Sequence, residues 1–168
     1  MTVTLRPFQL HDTAAVLAMN LASEKFLSPL NETRLHQLRK QSALFWVAEK
    51  HSQLVGFLMG FCANAGYNSI NYQWFDQRLQ HFLYIDRVVV AEAARGLGLG
   101  TQFYDAVADW AIHHQLVWLA AEIDIEPPNP GSLAFHQQRG FVAVADQILN
   151  STGGTKRVAL QVKSLSQE

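Results

Sequence analysis

The sequence predicts a mixed α/β domain on a largely antiparallel sheet, and three observations carry that prediction. Two β-rich runs, ALFWVAEK and LVGFLMGFCA, are separated only by a short turn around HSQ, which makes them a hairpin. A run of valines, Val88, Val89 and Val90, is followed by Gly96, Gly98 and Gly100 and then by a helix-patterned stretch, which implies one parallel strand–helix–strand crossover. Strand-like runs also stand next to each other at the end of the chain, so the strict alternation of a doubly wound sheet is absent.

The elements follow in order. VTLRPF reads as a first strand, and Asp12 then occupies an N-cap position ahead of the apolar residues Val16, Leu17, Met19 and Leu21. A second helix follows SPLNE, with Asn31 as cap and Leu35 and Leu38 on its inner face. The hairpin comes next. Residues 64–80, NAGYNSINYQWFDQRLQ, show neither the helical nor the strand period and read as a loop. HFLYIDRVVV is the next strand, and 98–114 carries helical spacing through Leu99, Phe103, Val107 and Trp110. Then come the strand VWLAAEID, the proline-broken turn IEPPNPG and the helix SLAFHQQR, ended by Gly140 as a C′ glycine. Two strands near 141–148 and 156–164 close the chain. The count is seven strands and four helices.

With 168 residues, 49% of them apolar, the chain reads as a single domain, 1–168, with side-chain volume for a sizeable core. Its net charge of −1 gives no bulk electrostatic reason for binding nucleic acid or an anionic membrane. No apolar run approaches the roughly 20 residues needed to span a bilayer. MTVTLRPFQLHD lacks the apolar core of a signal peptide, and one cysteine, Cys62, fits a reducing compartment, so the expected location is cytoplasmic. Cys62 reads as a small core residue rather than a nucleophile. No cysteine–histidine set points to a metal, and His113–His114 sits at a helix end, where a favourable dipole contact is the ordinary reading.

The alternating glycines are the strongest functional signal. Glycine permits positive φ and close backbone approach, and a helix N-terminus behind it offers free N–H groups to phosphate oxygens. A Walker A loop requires a lysine after the glycines, and none follows. The dinucleotide fingerprint requires a third glycine where Thr101 stands. Arg95-Gly96-Leu97-Gly98-Leu99-Gly100 instead resembles the pyrophosphate loop of the GNAT superfamily of N-acetyltransferases, [Q/R]-x-x-G-x-[G/A]. NPGSLAFHQQRGF resembles a second element of that family, with Asn129, Ser132, Phe135, Gly140 and Phe141 in place. LRPFQLHD is similar to the family's usual opening strand and turn.

The resemblance implies a GNAT-type fold, a twisted, mostly antiparallel sheet of about seven strands flanked by about four helices. It implies acetyl-CoA as acyl donor, no metal, and an amine acceptor that is a small molecule or a peptide. A homodimer is left open. The pyrophosphate would lie on backbone amides from Gly96 through Gly98, Leu99 and Gly100 to Thr101, with Arg95 beside it. Val88, Val89 and Val90 would pair through their backbone with the pantetheine arm, and Asn129 would contact the same arm. The alternative is a CoA-binding sensor or interaction module on the same fold that has lost its chemistry.

Acyl transfer to an amine needs a base, since a free alkylamine with a pKa of about 10.4 costs roughly 4–5 kcal/mol to deprotonate at pH 7. Asp86 interrupts an apolar strand nine positions before Arg95, where the histone-acetyltransferase branch carries its base, and burial there would raise its pKa. Strand alternation argues against Arg87 as its partner. Asp124, five before Asn129, is the second candidate, and Glu122 and Glu126 share its strand face. His136 stands where the family commonly has the tyrosine that protonates the departing thiolate. With an ordinary pKa near 6.5 the imidazole would be partly cationic and able to do so, or it would only pack. Tyr84 and Tyr104 are reserve acids. The acceptor would enter between SEKFLSPL and GYNSINYQWFDQR, with Tyr67, Tyr72, Trp74 and Phe75 as an aromatic lining and Glu24 or Asp76 holding a cationic amine.

Overall fold

The computed structural model describes residues 2–151 and 153–166. Among these residues seven strands form one sheet: β1 (Thr4–Pro7), β2 (Leu44–Lys50), β3 (Gln53–Cys62), β4 (Phe82–Val90), β5 (Trp118–Glu126), β6 (Val142–Ser151) and β7 (Gly154–Ser164). Their spatial order is β1-β2-β3-β4-β5-β7-β6, and every neighbouring pair is antiparallel except β4 with β5. The predicted hairpin and the single parallel crossover are both present.

Five α-helices among the described residues cover the sheet: α1 (Thr13–Ala22), α2 (Glu32–Gln41), α3 (Ile70–Asp76), α4 (Leu99–His113) and α5 (Pro130–Gln138). α1, α2 and α3 bury Val16, Leu35, Leu38, Tyr72 and Phe75 against one face. α4 buries Leu99, Phe103, Tyr104, Val107 and Ala111 against the other. No described helix is long and apolar enough to cross a membrane.

The local chemistry explains most of the helix ends. Asn31 accepts the Arg34 N–H and caps α2, and Ser69 accepts the Tyr72 N–H and caps α3. Gly140, at φ +88°, closes α5 with the Phe141 N–H donating to the His136 carbonyl. His113 and His114 each hydrogen-bond a carbonyl of the last turn of α4 through Nδ1, at 2.8 Å. Cys62 is partly buried against the core, and burial pushes its thiol pKa up.

Three expectations need correction. Asp12 does not cap α1 through its side chain; it accepts the Gln9 N–H and forms a two-point ion pair with Arg6, 2.8 and 2.9 Å. Leu21 and Trp110 leave the inner faces: Leu21 is exposed, and Trp110 is half-buried and stacks on His114. Residues 64–80 are not wholly a loop but contain α3, whose two turns bury Tyr72 and Phe75, a single i, i+3 pair.

Two features of β4 set up the site. First, β4 and β5 pair only through Phe82–Trp118, Leu83–Leu119 and Tyr84–Ala120, so the strands part beyond Tyr84 and Ala120. Second, β4 carries a bulge. Met59 faces Arg87 but Gly60 faces Ile85, which leaves Asp86 as the inserted residue. Phe82 and Tyr84 belong to the α1–α3 face before the bulge, and Val89 belongs to it afterwards. Asp86 and Arg87 therefore both project toward that face.

Candidate active site

The parting of β4 and β5 opens a cleft of about 670 Å³. Val88, Val89 and Val90 form one wall, Asn129, Ser132 and Phe135 the opposite one, and Arg95 and Gly96 close one end. Beyond Tyr84, the backbone groups of β4 that face β5 have no strand partner, which is what an extended ligand arm requires to pair with them.

At the mouth, Gly96 and Gly98 both adopt φ +77°, a left-handed conformation that glycine takes freely. Gly98 is the N-cap of α4, and the first helical bond runs from the Gln102 N–H to its carbonyl, 3.0 Å. The N–H groups of Leu99, Gly100 and Thr101 thus lie in the first turn, which has no carbonyls of its own to pair with. A Cβ added at Gly96 or Gly98 would meet nothing within 4 Å, so the space above the turn is open. Arg95 is exposed there, and among the described residues no carboxylate pairs with it. Leu99 itself is buried in the core, so what it offers the turn is backbone.

A second, smaller cavity of about 290 Å³ lies on the α1–α3 face. Phe26, Leu27, Asp86, Arg87 and Glu122 line both cavities, so the two meet at that point. Asp86 and Glu122 each lie two residues past the last β4–β5 pair, Tyr84 with Ala120. They stand at the apex where the sheet opens.

The carboxylates there differ in their partners. Asp86 accepts from Arg87 Nε at 2.8 Å and from the Tyr67 hydroxyl at 2.8 Å. The alternation argument against Arg87 fails because the bulge turns both side chains to one face. Arg87 also donates to Asn20 Oδ1 at 2.9 Å and to Ser28 Oγ at 3.1 Å, so the pair is anchored to the end of α1 and the segment behind it. Asp124 is buried and paired with Lys156 at 2.8 Å, and the exposed Glu126 is paired with Arg157 at 3.0 Å. Glu122 has no cationic partner among the described residues; it accepts a hydrogen bond from the Tyr84 hydroxyl. Burial, and then the nearby charge of Asp86, push its pKa up to about 8.

His136 is buried on α5 with both ring nitrogens engaged. Nδ1 lies 2.7 Å from the Ser132 carbonyl, which only accepts, so Nδ1 carries the proton. Nε2 then accepts from the Tyr104 hydroxyl at 2.6 Å. Burial lowers the His136 pKa, so the expected partly cationic imidazole is corrected to a neutral one. Tyr104, packed against Phe135 and Phe141, was not foreseen as its partner. Asn129 caps α5 by accepting the Ser132 N–H, and its own N–H donates to the Asp124 carbonyl.

The acceptor lining also differs from expectation. Tyr72 and Phe75 are core, Trp74 stacks with Arg78, and of the four aromatics Tyr67 alone lines the smaller cavity. Glu24 is exposed and lines neither cavity, and Asp76 accepts the Asn64 N–H elsewhere. Within SEKFLSPL, Phe26, Leu27 and Ser28 do reach the smaller cavity.

A cleft at parted parallel strands, with a glycine turn and a helix N-terminus at its mouth, is the arrangement that the resemblance in sequence implies. The acetyltransferase (GNAT) family model matches residues 13–141, more than half of the chain, and the chain belongs to that family. Solved structures bear out the fold. Ard1 from Thermoplasma volcanium is similar over 99% of this chain and 100% of its own, at 17% identity and a TM-score of 0.81. YncA from Salmonella typhimurium, a putative acetyltransferase solved with its cofactor acetyl-CoA, covers 99% of this chain and 95% of its own at 16% identity and a TM-score of 0.73. The ribosomal-protein-alanine N-acetyltransferase of Brucella melitensis covers 96% and 99% at 23% identity and a TM-score of 0.70. No curated protein matches the chain in sequence.

Proposed function

We propose that the protein transfers the acetyl group of acetyl-CoA to an amine by direct attack, with Glu122 as the base. The observation that carries this reading is the position of Glu122 at the junction of the two cavities without a cationic partner. Asp86 shares the junction but is held by Arg87 and Tyr67, which suits a structural role.

CoA occupies the larger cleft, its pyrophosphate on the first-turn N–H groups of α4 with Arg95 beside it, and its pantetheine arm along Val88–Val90. The acceptor enters from the smaller cavity. A carboxyl with a pKa near 8 is a far better match for an ammonium ion than one near 4. Glu122, once ionised, takes one proton from the ammonium; the freed nitrogen attacks the acetyl carbonyl; the C–S bond breaks, and the second proton lost by the nitrogen goes to the thiolate. A thiolate with a pKa near 8.5 leaves with little assistance. The Tyr104 hydroxyl lines the same cleft, but its proton is donated to neutral His136, so the thiolate is protonated through solvent.

The test is steady-state acetyl transfer over a panel of amines, amino acids and peptides. Glu122→Gln should lower kcat about 10²–10⁴-fold while calorimetry shows CoA affinity retained. An active Glu122→Gln protein would return the base to Asp86 or Asp124. Acetyl-CoA binding without transfer to any amine would leave the non-catalytic CoA-binding module.

A further inference from the structure

We propose that the smaller cavity is an anion-selecting acceptor site: the amine acetylated here belongs to a small molecule that also carries a carboxylate, phosphonate or phosphate, which Arg34 receives. This rests on the acetyl-transfer reading above and names its substrate class.

The inference comes from the charges on the cavity wall. Arg34, Arg87 and Lys156 line it, against the carboxyls Asp86 and Glu122. Arg87 is matched by Asp86, and Lys156 by Asp124 at 2.8 Å. Glu122 holds its proton near neutral pH. Arg34 is left with a full positive charge and, among the described residues, no carboxylate against it.

Its guanidinium is also held in place. One terminal nitrogen donates to Asn68 Oδ1 at 2.7 Å and the other to Gln37 Oε1 at 3.5 Å, and the group lies over the Tyr67 ring, 5.7 Å from its centroid. A fixed guanidinium loses little freedom when it takes up an anion, and its remaining donors suit a planar carboxylate or a phosphoryl group. The same Tyr67 donates to Asp86 at the junction with the CoA cleft, so one side chain spans from the cation to the apex.

The cavity is thus bipolar, with the Asp86 and Glu122 carboxyls at the apex and an unmatched cation on the α2 side. A diamine would set its second charge against Arg34, and an uncharged amine would leave Arg34 unused. A volume of about 290 Å³ suits an amino-acid-sized molecule.

The experiment compares KM for glutamate, its dicarboxamide, 2-aminoethylphosphonate, 2-aminoethyl phosphate, putrescine and an acidic peptide with a free N-terminus. Small anionic acceptors should show a KM about 10–100-fold below the dicarboxamide and putrescine, the ratio expected of one charge-assisted hydrogen-bonded contact. Arg34→Gln should erase the difference between acid and amide by raising KM for the acid, and Arg34→Lys should restore part of it. Equal or better use of the dicarboxamide or putrescine, transfer to the peptide alone, or an unchanged acid preference in Arg34→Gln overturns the proposal. The acid-to-amide ratio in the unmodified protein decides the matter even if an Arg34 variant fails to fold. Transfer that is as good or better to amines lacking an anionic group overturns this inference alone, whereas CoA binding with no transfer to any acceptor overturns the acetyl-transfer reading with it.

Discussion

Asp86 shows how one inserted residue changes the meaning of its neighbours. Strand alternation separates Asp86 from Arg87, and the bulge opposite Met59 and Gly60 brings them together as a buried ion pair 2.8 Å apart. Asp86→Asn keeps the shape and the bond to Tyr67 but leaves the Arg87 guanidinium buried without its counter-charge. Removing one partner of such a pair costs about 3–5 kcal/mol, so denaturant unfolding should show a loss of that size. The double variant Asp86→Asn/Arg87→Met should recover much of it, because no uncompensated charge remains. A single variant within about 1 kcal/mol of the parent would remove the structural role assigned to Asp86. The position of Asp86 was legible in the sequence because it breaks an apolar run. Its partner was not, because a bulge leaves no mark on the hydrophobic pattern. His136 is a similar case: the motif located it, but the neutral, doubly bonded ring depends on Tyr104, which lies 32 residues earlier on α4.

At the scale of elements, what could be read was whatever the sequence writes locally. The hairpin turn falls at His51 and Ser52, both at positive φ, as a tight two-residue turn requires. The glycine turn before α4 is equally local, with both left-handed positions filled by glycine. α3 escaped because two turns of helix bury one apolar pair, too little for a period to show. The pairing of β4 with β5 over three residues was not readable at all, since it depends on where two distant strands part. Gly98→Val tests the turn as a unit. A valine there must hold a left-handed φ, and its side chain would project into the open space above the first turn of α4. Calorimetry should show CoA binding lost while circular dichroism shows the fold retained. Unchanged CoA affinity in a folded Gly98→Val protein would move the pyrophosphate away from this turn.

For the whole molecule, opening the sheet carries a cost that appears as a pH dependence of stability. The parting of β4 and β5 places Glu122 at the apex, where burial and Asp86 hold its pKa at about 8 against a value near 4.5 in the unfolded chain. A raised folded pKa means that the folded state keeps a proton the unfolded state gives up. Its contribution is therefore fully present below about pH 4.5 and is lost as pH rises through about 8. His136 works in the opposite sense. Burial lowers its pKa below 6.5, so the unfolded state binds the extra proton and stability falls as pH drops below that value. Just below about pH 6.5 the two slopes oppose each other, and between about 6.5 and 8 only that of Glu122 remains. At about 1.4 kcal/mol per pH unit for one proton, that upper window carries a loss of about 2 kcal/mol. For a chain of this length it corresponds to a fall in Tm of about 4–8 °C. Glu122→Gln, which stays neutral throughout, should flatten the profile from pH 6.5 to 8 and melt above the parent at pH 8. His136→Phe should leave that window unchanged and steepen the decline just below about pH 6.5, because the slope opposing Glu122 there is gone. Parallel Tm profiles for the parent and Glu122→Gln would show that Glu122 ionises as easily in the folded protein as in the unfolded chain, and the base at the apex would have to be sought at Asp86.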